Sequence, residues 1–305
     1  METLEMLAHS QAGLFTTSQA LALGWDARAL LAGVRRGGLR HLGRGLYALP
    51  SPDLDTPDGW LRALSRGGLL LYPDSAHTQA SAALAHGLPL LGRHRRASLA
   101  RPVASEVQTQ SFVIRPHRGE PVVLTDLGPA VTPAWAVAQL TMDCSVIDGV
   151  VAADAALHRG LFRLDDLADV AAVVKGWPRS ARLSTLATLL DGRSESVGES
   201  RLRVILRLAH IDVLPQSLVR DESGRVVARV DFLVDGTNVV IEFDGLVKYT
   251  DGGVDALIAE KRREDRLRSL GYVVIRVTWD ELARPAVLLA RIRAVLRQPH
   301  ITSVA

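Results

Sequence analysis

The stretch that most constrains this 305-residue chain is Val226 to Asp244, VVARVDFLVDGTNVVIEFD. Val230, Phe232 and Val234 are apolar at alternate positions, and beyond Asp235-Gly236 so are Val239, Ile241 and Phe243. Successive side chains on a strand point to opposite faces, so this alternation predicts two half-buried strands. Asp235-Gly236 between them is a hairpin signal, because glycine supplies the positive φ of a tight turn. With a two-residue loop Val234 faces Thr237 and Asp231 faces Val240; with a four-residue loop Val234 faces Val239 and Asp231 faces Glu242. Either register places Asp231, Glu242 and Asp244 on one face, opposite the apolar one, and a three-residue loop would break the arrangement.

Three carboxylates on one face repel one another and are costly to desolvate. Such clusters persist where a divalent cation neutralises them, and hard oxygen ligands suit magnesium or manganese. The expected ligands are Asp231, Glu242 and Asp244. A bound cation of this kind activates water against a phosphodiester. The bland alternative is a solvated sheet face, which the apolar content of both strands disfavours. A helix is expected over Ser196 to Ala209, with Glu199 in its first turn. Ser196-x-x-Glu199 fits a capping box, and Glu199 also fits a fourth carboxylate aimed at the metal; the two are compatible. Lys248 follows the hairpin and is placed to orient the attacking water or steady the phosphate. A charged helix is expected from about residue 254 to 270, stopped by Gly271. Its Lys261, Arg262, Arg263 and Arg266 suit phosphates, while Glu260, Glu264 and Asp265 suit an ordinary salt-bridged surface. A buried strand over Tyr272 to Val277 and a Thr278-x-x-Glu281 cap complete the segment.

Near the other end, Thr16 or Thr17 caps a short helix, Ser18 to Leu23, ended by Gly24, and Asp26 caps a second from about Ala27 to Arg35. Two short strands around Gly43-Arg44-Gly45 then make a wing beside this helix-turn-helix outline. From Ala27 to Tyr47 there are five arginines (Arg28, Arg35, Arg36, Arg40 and Arg44) and no acid. A local patch of one sign suits phosphate contacts, and hence DNA; solvated arginines on a small protein-binding fold are the alternative.

The middle segment mixes a few strands with alanine- and leucine-rich helices. Thr132-Pro133 starts one helix, and the apolar run Leu140 to Leu157, broken at Asp148-Gly149, predicts core helix. His77, His86, His94 and His117 have no spacing of a known zinc motif, so they read as ordinary surface or core residues. The polar stretch Asp191 to Gly198 reads as a linker. The expected organisation is therefore multi-domain α/β: a winged helix-turn-helix over 1–50, a helix-rich α+β connector over 51–190 serving as scaffold and spacer, and an α/β domain over 191–305.

Composition narrows the classes. Net charge is +3 and the hydrophobic fraction is 48%. That fraction is enough for real cores. The single cysteine excludes an internal disulfide and suits a reducing cytoplasm. Glu2 and Glu5 stand where an export signal wants cations, and no apolar run reaches about 18 residues, so neither a leader nor a membrane span is expected. The phosphate-binding GxxxxGK[ST] loop, the dinucleotide glycine fingerprint and the GxSxG elbow are all lacking, which weighs against other enzyme classes.

Two resemblances add to these readings. AGLFTTSQALALGWDARALLAGVRRGGLRHLGRGLYALP, about residues 12 to 50, resembles the N-terminal domain of the AbiEi antitoxin family, chiefly through its ending LGRGLYAL. That implies a winged helix-turn-helix, DNA as partner, self-repression in some members, and a toxin-type protein or a second copy of the chain as further partner. Residues 196 to 297 resemble the PD-(D/E)xK nuclease superfamily, closest to its very-short-patch-repair-like branch. The likeness rests on VDF at 230–232, EFDG at 242–245 and the run EKRREDRLRSLGYVVIRVTW. It implies a restriction-endonuclease-like fold, with Asp231 and Glu242 as metal ligands and Glu199 as the helix acid. Asp244 stands where the superfamily places lysine, and Lys248 lies near the site of a histidine in the repair-like branch. Two functions result: a magnesium- or manganese-dependent endonuclease with its own DNA-binding segment, or a regulator or antitoxin whose nuclease fold is inactive.

Overall fold

The computed structural model describes residues 3–245 and 253–298. It is a mixed α/β chain with several sheets, in two compact units: Met1–Ala152 with Phe162–Leu183, and Ala153–Leu161 with Ser184–Ala305.

The first unit opens with α1 (Leu4–Ser10), β1 (Leu14–Thr16), α2 (Thr17–Ala22), α3 (Ala27–Arg35), β2 (Arg40–Gly43) and β3 (Leu46–Ala48). Local chemistry sets these boundaries. The Thr16 hydroxyl accepts from Gln19 N–H while the Gln19 side chain accepts from Thr16 N–H, a reciprocal cap that starts α2. Gly24 ends it at φ +86. The Asp26 carboxylate accepts from Ala29 N–H at 2.7 Å and starts α3. The central strand of the small antiparallel sheet is β3, between β1 and β2. Leu4, Ala8, Phe15, Ala20, Leu30 and Leu39 form the core beneath it.

The chain continues through α4 (Pro57–Leu71), β4 (Ala76–His77), α5 (Gln79–Ala85), β5 (Ala97–Arg101), β6 (Val107–Gln108), β7 (Phe112–Pro116), β8 (Val122–Thr125), β9 (Gly128–Val131), α6 (Pro133–Asp143), α7 (Val146–His158), α8 (Leu164–Val173) and α9 (Arg182–Leu189), and the division between the units falls within α7, after Ala152, and within α9, after Leu183. The larger sheet of the first unit runs β6-β7-β5-β4-β9-β8, with parallel pairing of β5 to β7 and of β4 to β9. Strand is thus more plentiful here than the alanine- and leucine-rich sequence suggests. Thr132 and Pro133 do open α6. The expected break at Asp148-Gly149 falls instead at Cys144-Ser145. The Ser145 hydroxyl accepts from Asp148 N–H at 3.1 Å, which puts Asp148 in the first turn of α7 and keeps Gly149 helical.

The second unit contains α10 (Val197–Leu208), β10 (Val213–Arg220), β11 (Val226–Val234), β12 (Val239–Phe243), α11 (Gly253–Ser269), β13 (Val273–Val277), α12 (Trp279–Leu282) and α13 (Pro285–Leu296). Its sheet runs β10-β11-β12-β13, antiparallel except for the parallel β12–β13 pair. Phe232 pairs with Ile241 and Leu233 with Val240, so the hairpin loop has four residues, Asp235 to Asn238. Phe232, Val234, Val239, Ile241, Ile275 and Val277 join Leu202 and Leu206 of α10 in one core. Val240, Val230 and Leu267 of α11 belong to a second, with Leu233 and Val274 packed against it. A Cβ at Gly198 would stand 2.0 Å from the Phe243 ring, so only glycine permits this approach of α10 to β12.

The polar stretch Asp191 to Gly198 is not a solvated linker. Asp191 N–H donates to Asp154 at 2.8 Å, and Ser194 is buried, accepting from Arg203 Nε at 3.3 Å. Arg203 Nη2 reaches Asp154 at 2.5 Å, and Ser200 donates to the same oxygen at 2.7 Å. This buried ion pair ties residues 153–161 to α10 within the unit. Burial pushes the Asp154 carboxyl above its ordinary value, against the pull of Arg203.

Candidate nucleic-acid interface and acidic hairpin

The cationic surface of the first unit is built on α3 and the β2–β3 hairpin. Arg28, Arg35 and Arg36 are exposed on α3 and its C-terminal cap, and Arg44 is exposed at the hairpin turn. Arg28, Leu31 and Arg35, spaced three and four apart, share one outward face of α3. Leu31 on that face is 55% exposed. Arg40 differs. Both its terminal nitrogens donate to Asp55 Oδ1, at 3.1 and 3.2 Å, so an acid from outside the arginine-rich window neutralises it. The hairpin is braced rather than free. Ser111 Oγ donates to Leu42 O at 2.8 Å, and Leu46 is buried against Gly67 of α4, where a Cβ would meet it at 2.3 Å. Gly45, at φ +79, makes the turn that presents Arg44.

A second group of cations escaped the sequence analysis. Arg93, Arg95 and Arg96 are exposed and flank His94 in the run GRHRR at 92–96. This loop lines a cavity of about 640 Å³ together with His41 to Gly43 of β2 and Trp60. The density of the run was the available signal; its position near β2 depends on contacts distant in sequence.

In the second unit, β11 and β12 put Asp231 and Glu242 next to one another beyond the Phe232–Ile241 pair. Their parity matches Leu233 and Val240, whose neighbours include Leu267 of α11, so the acid-bearing face is covered by that helix. Neither an open solvated face nor a face free of apolar groups describes it. Glu242 is 7% exposed, and its two oxygens accept from Arg263 Nη1 at 2.7 Å and Nη2 at 2.8 Å. Arg263 and Leu267 are one turn apart, so the side of α11 that packs on the sheet also delivers the guanidinium. Asp231 Oδ2 accepts from Phe243 N–H at 2.8 Å, taking the place of a ladder carbonyl where β11 leaves β12. Asp244 is half-buried just past β12, its N–H donating to Val277 O at 2.8 Å.

Glu199 is 7% exposed in the first turn of α10. Its N–H donates to Ser196 Oγ at 3.1 Å, half of the expected capping box. The other half differs: Oε2 accepts from Glu195 N–H at 3.0 Å and from Gln216 Nε2 at 2.9 Å, rather than from Ser196 N–H. Gln216 lies between the residues paired with Phe232 and Val230, beside Asp231, which brings Glu199 toward the same end of the hairpin. Lys248 lies outside the described residues. Among the described residues, no three His, Cys, Asp or Glu side chains are grouped so as to hold a metal ion. On α11, Glu264 pairs with Arg268 at 2.5 Å and with Arg276 at 3.0 Å, a salt-bridged arrangement.

The histidines of the larger sheet have local roles. His77 is fully buried with Nε2 3.0 Å from Leu127 O, and His86 Nε2 lies 2.7 Å from Val131 O.

The order helix, strand, helix, helix, hairpin, with cations on the second of the paired helices, defines a small basic module at the start of the chain. Residues 2–50 match the family described as transcriptional regulator, AbiEi antitoxin. Among solved structures, the chain is similar to the crystal structure of the RV2827C protein from Mycobacterium tuberculosis, at 18% identity and a TM-score of 0.37, covering 70% of this chain and 86% of that one. No curated protein matches. Among the described residues, no helix is long and apolar enough to cross a membrane.

Proposed function

We propose that the protein is a DNA-binding transcriptional regulator of the antitoxin type. In this reading α2 and α3 form a helix-turn-helix, β2–β3 is the wing, and a toxin-type protein is a further partner. One observation carries it: the segment matching the AbiEi regulators is the segment that exposes Arg28, Arg35, Arg36 and Arg44 together. Four exposed guanidinium groups on one short module suit a run of phosphates, with α3 entering the major groove. The test is a gel shift on duplex DNA from immediately upstream of the protein's own coding sequence, beside random-sequence duplex. Binding that weakens steeply with salt and is lost in Arg35→Glu/Arg36→Glu supports the reading. Failure of the folded protein to retard either duplex at low salt overturns it.

A second reading, a magnesium- or manganese-dependent endonuclease in the second unit, is favoured by the adjacency of Asp231 and Glu242 with Glu199 bonded to the neighbouring Gln216. As packed, Glu242 has both oxygens on Arg263 and Asp231 Oδ2 accepts a backbone N–H, so a cation at Glu242 would have to displace Arg263. Plasmid nicking that requires the metal and is abolished by Glu242→Ala would establish this activity. A chelator-insensitive or absent cut leaves the regulator reading alone.

A further inference from the structure

The first unit holds a larger concavity, a cleft of about 950 Å³. That size lies within the range of small-ligand sites. Its charge is one-sided. Arg93, Arg95, Arg96, Arg115, Arg118 and Arg179 line it against Glu106, Glu120 and Asp143. Those acids are engaged. Glu106 lies 3.2 Å from Arg115 Nε and accepts from Gln108 at 2.7 Å. Asp143 pairs with Arg115 and lies 4.0 Å from Arg179. Glu120 accepts from Arg118 N–H at 2.6 Å. Among the described residues, the guanidinium groups of Arg93, Arg95 and Arg118 have no carboxylate at ion-pair distance. Arg118 instead lies over the Trp177 ring, 4.8 Å from its centroid, and both residues line the cleft.

One lining residue is strained and fixed. Gln79 sits at φ +49, where a residue with a side chain rarely rests, and such outliers gather at ligand clamps. Its N–H donates to Gln139 Oε1 at 2.9 Å and its Oε1 accepts from Ser98 at 2.7 Å, which holds the residue in place. His94 also lines the cleft, and its Nε2 is buried without a hydrogen-bond partner among the described residues.

We propose that this cleft binds a phosphorylated nucleoside unit, with phosphate on Arg93, Arg95 and Arg96 and the base stacked on the Arg118–Trp177 pair. Guanidinium forks match phosphate oxygens, and a planar guanidinium backed by tryptophan is a stacking platform. A free nucleotide and a nucleotide in an exposed single strand share this chemistry. The inference does not rest on the DNA reading, since α3 takes no part in the cleft.

Isothermal titration of the full chain tests it with AMP, ATP and GTP, with adenosine and pyrophosphate, and with a short single-stranded oligonucleotide. The expected result is binding of nucleotide or strand, with adenosine about tenfold weaker or worse for want of phosphate. Arg93→Ala/Arg95→Ala, both at exposed positions, is expected to lose about tenfold or more in affinity with an unchanged melting temperature. Arg118→Ala weakens nucleotide more than pyrophosphate. Tighter binding of the free nucleotide or of the strand says which source is used, and either supports the site. Arg35→Glu/Arg36→Glu leaves nucleotide affinity unchanged even where it abolishes the duplex shift. Absence of binding to every nucleotide and to the strand overturns the proposal. So does pyrophosphate binding as tightly as nucleotide, full affinity in the Arg93/Arg95 double variant, or loss of nucleotide binding in the α3 variant.

Discussion

Arg263 grips Glu242 at two points, Nη1 to Oε1 at 2.7 Å and Nη2 to Oε2 at 2.8 Å, from a helix that covers the face on which the acid stands. The Glu242 side chain is 10% exposed, so the carboxylate has exchanged its water for one guanidinium. Removing that partner leaves a charge that is desolvated and unpaired. Arg263→Ala is expected to lower the unfolding free energy by about 3 kcal/mol, and Glu242→Gln in the same chain to restore more than half of it. Denaturant melts of the two variants check this. A loss below about 0.5 kcal/mol for Arg263→Ala would mean that the pair is solvated. A divalent cation at Glu242 must displace Arg263, so any metal-induced rise in melting temperature is expected to be larger in Arg263→Ala than in the parent.

The five arginines of the first module are not equivalent. Arg40 is already held by Asp55, whereas Arg35 and Arg36 are exposed at the end of α3. Arg35→Ala and Arg36→Ala are each expected to weaken duplex binding and to reduce the slope of log affinity against log salt by about one. Arg40→Ala is expected to change that slope by much less. Fluorescence anisotropy across a salt series separates them, and an Arg40→Ala slope equal to that of Arg35→Ala would show that Asp55 does not hold the side chain.

Short-range chemistry made much of this architecture legible. Thr16, Gly24 and Asp26 bound α2 and α3 through caps and a glycine stop that act within four residues, and the alternation across Asp235-Gly236 gives β11, β12 and their shared apolar face. What stayed hidden depends on partners distant in sequence. Arg263 stands 21 residues from Glu242, and its meeting with that acid rather than with phosphate is decided by how α11 packs. Asp154 and Arg203 are 49 apart and convert an apparent linker into buried structure. Pro215 and a positive φ at Gln216 blur the strand pattern of β10, yet it supplies the amide bonded to Glu199. The six-stranded sheet is assembled from strands of two to five residues, too short for periodicity to register.

Cys144, the chain's single cysteine, is expected to be inert. Burial pushes its thiol up to about 11, with Asp148 and Asp143 adding to the effect and Arg115 and Arg179 opposing it. At pH 8 the thiolate is then about one part in a thousand, against roughly a quarter for an ordinary cysteine. Ellman's reagent should therefore label native protein about a hundredfold more slowly than protein unfolded in guanidinium. Equal rates would place the sulfur in an open, electropositive setting that this packing does not provide.

His77 gives the first unit an acid-sensitive point. The ring is fully buried, and desolvation holds it below its ordinary value of 6.5, with the Leu127 carbonyl opposing and nearby His86 assisting. Nε2 faces the Leu127 oxygen and so carries the proton, while Nδ1 has no partner among the described residues. A second proton on Nδ1 would be a buried donor with nothing there to accept it. The unfolded chain takes up that proton near pH 6.5 and the folded chain only at lower pH, so below neutrality the unfolded state binds more protons. The contribution is complete above pH 6.5 and is lost as pH falls through that value toward the lower folded one, by at most about 1.4 kcal/mol per pH unit. His77→Gln keeps a donor for Leu127 and removes the titration. Its stability is expected to be flatter than the parent's between about pH 7 and 5, by urea melts at matched ionic strength. Parallel curves for the two proteins would mean that His77 charges within the folded state at no cost, against its burial.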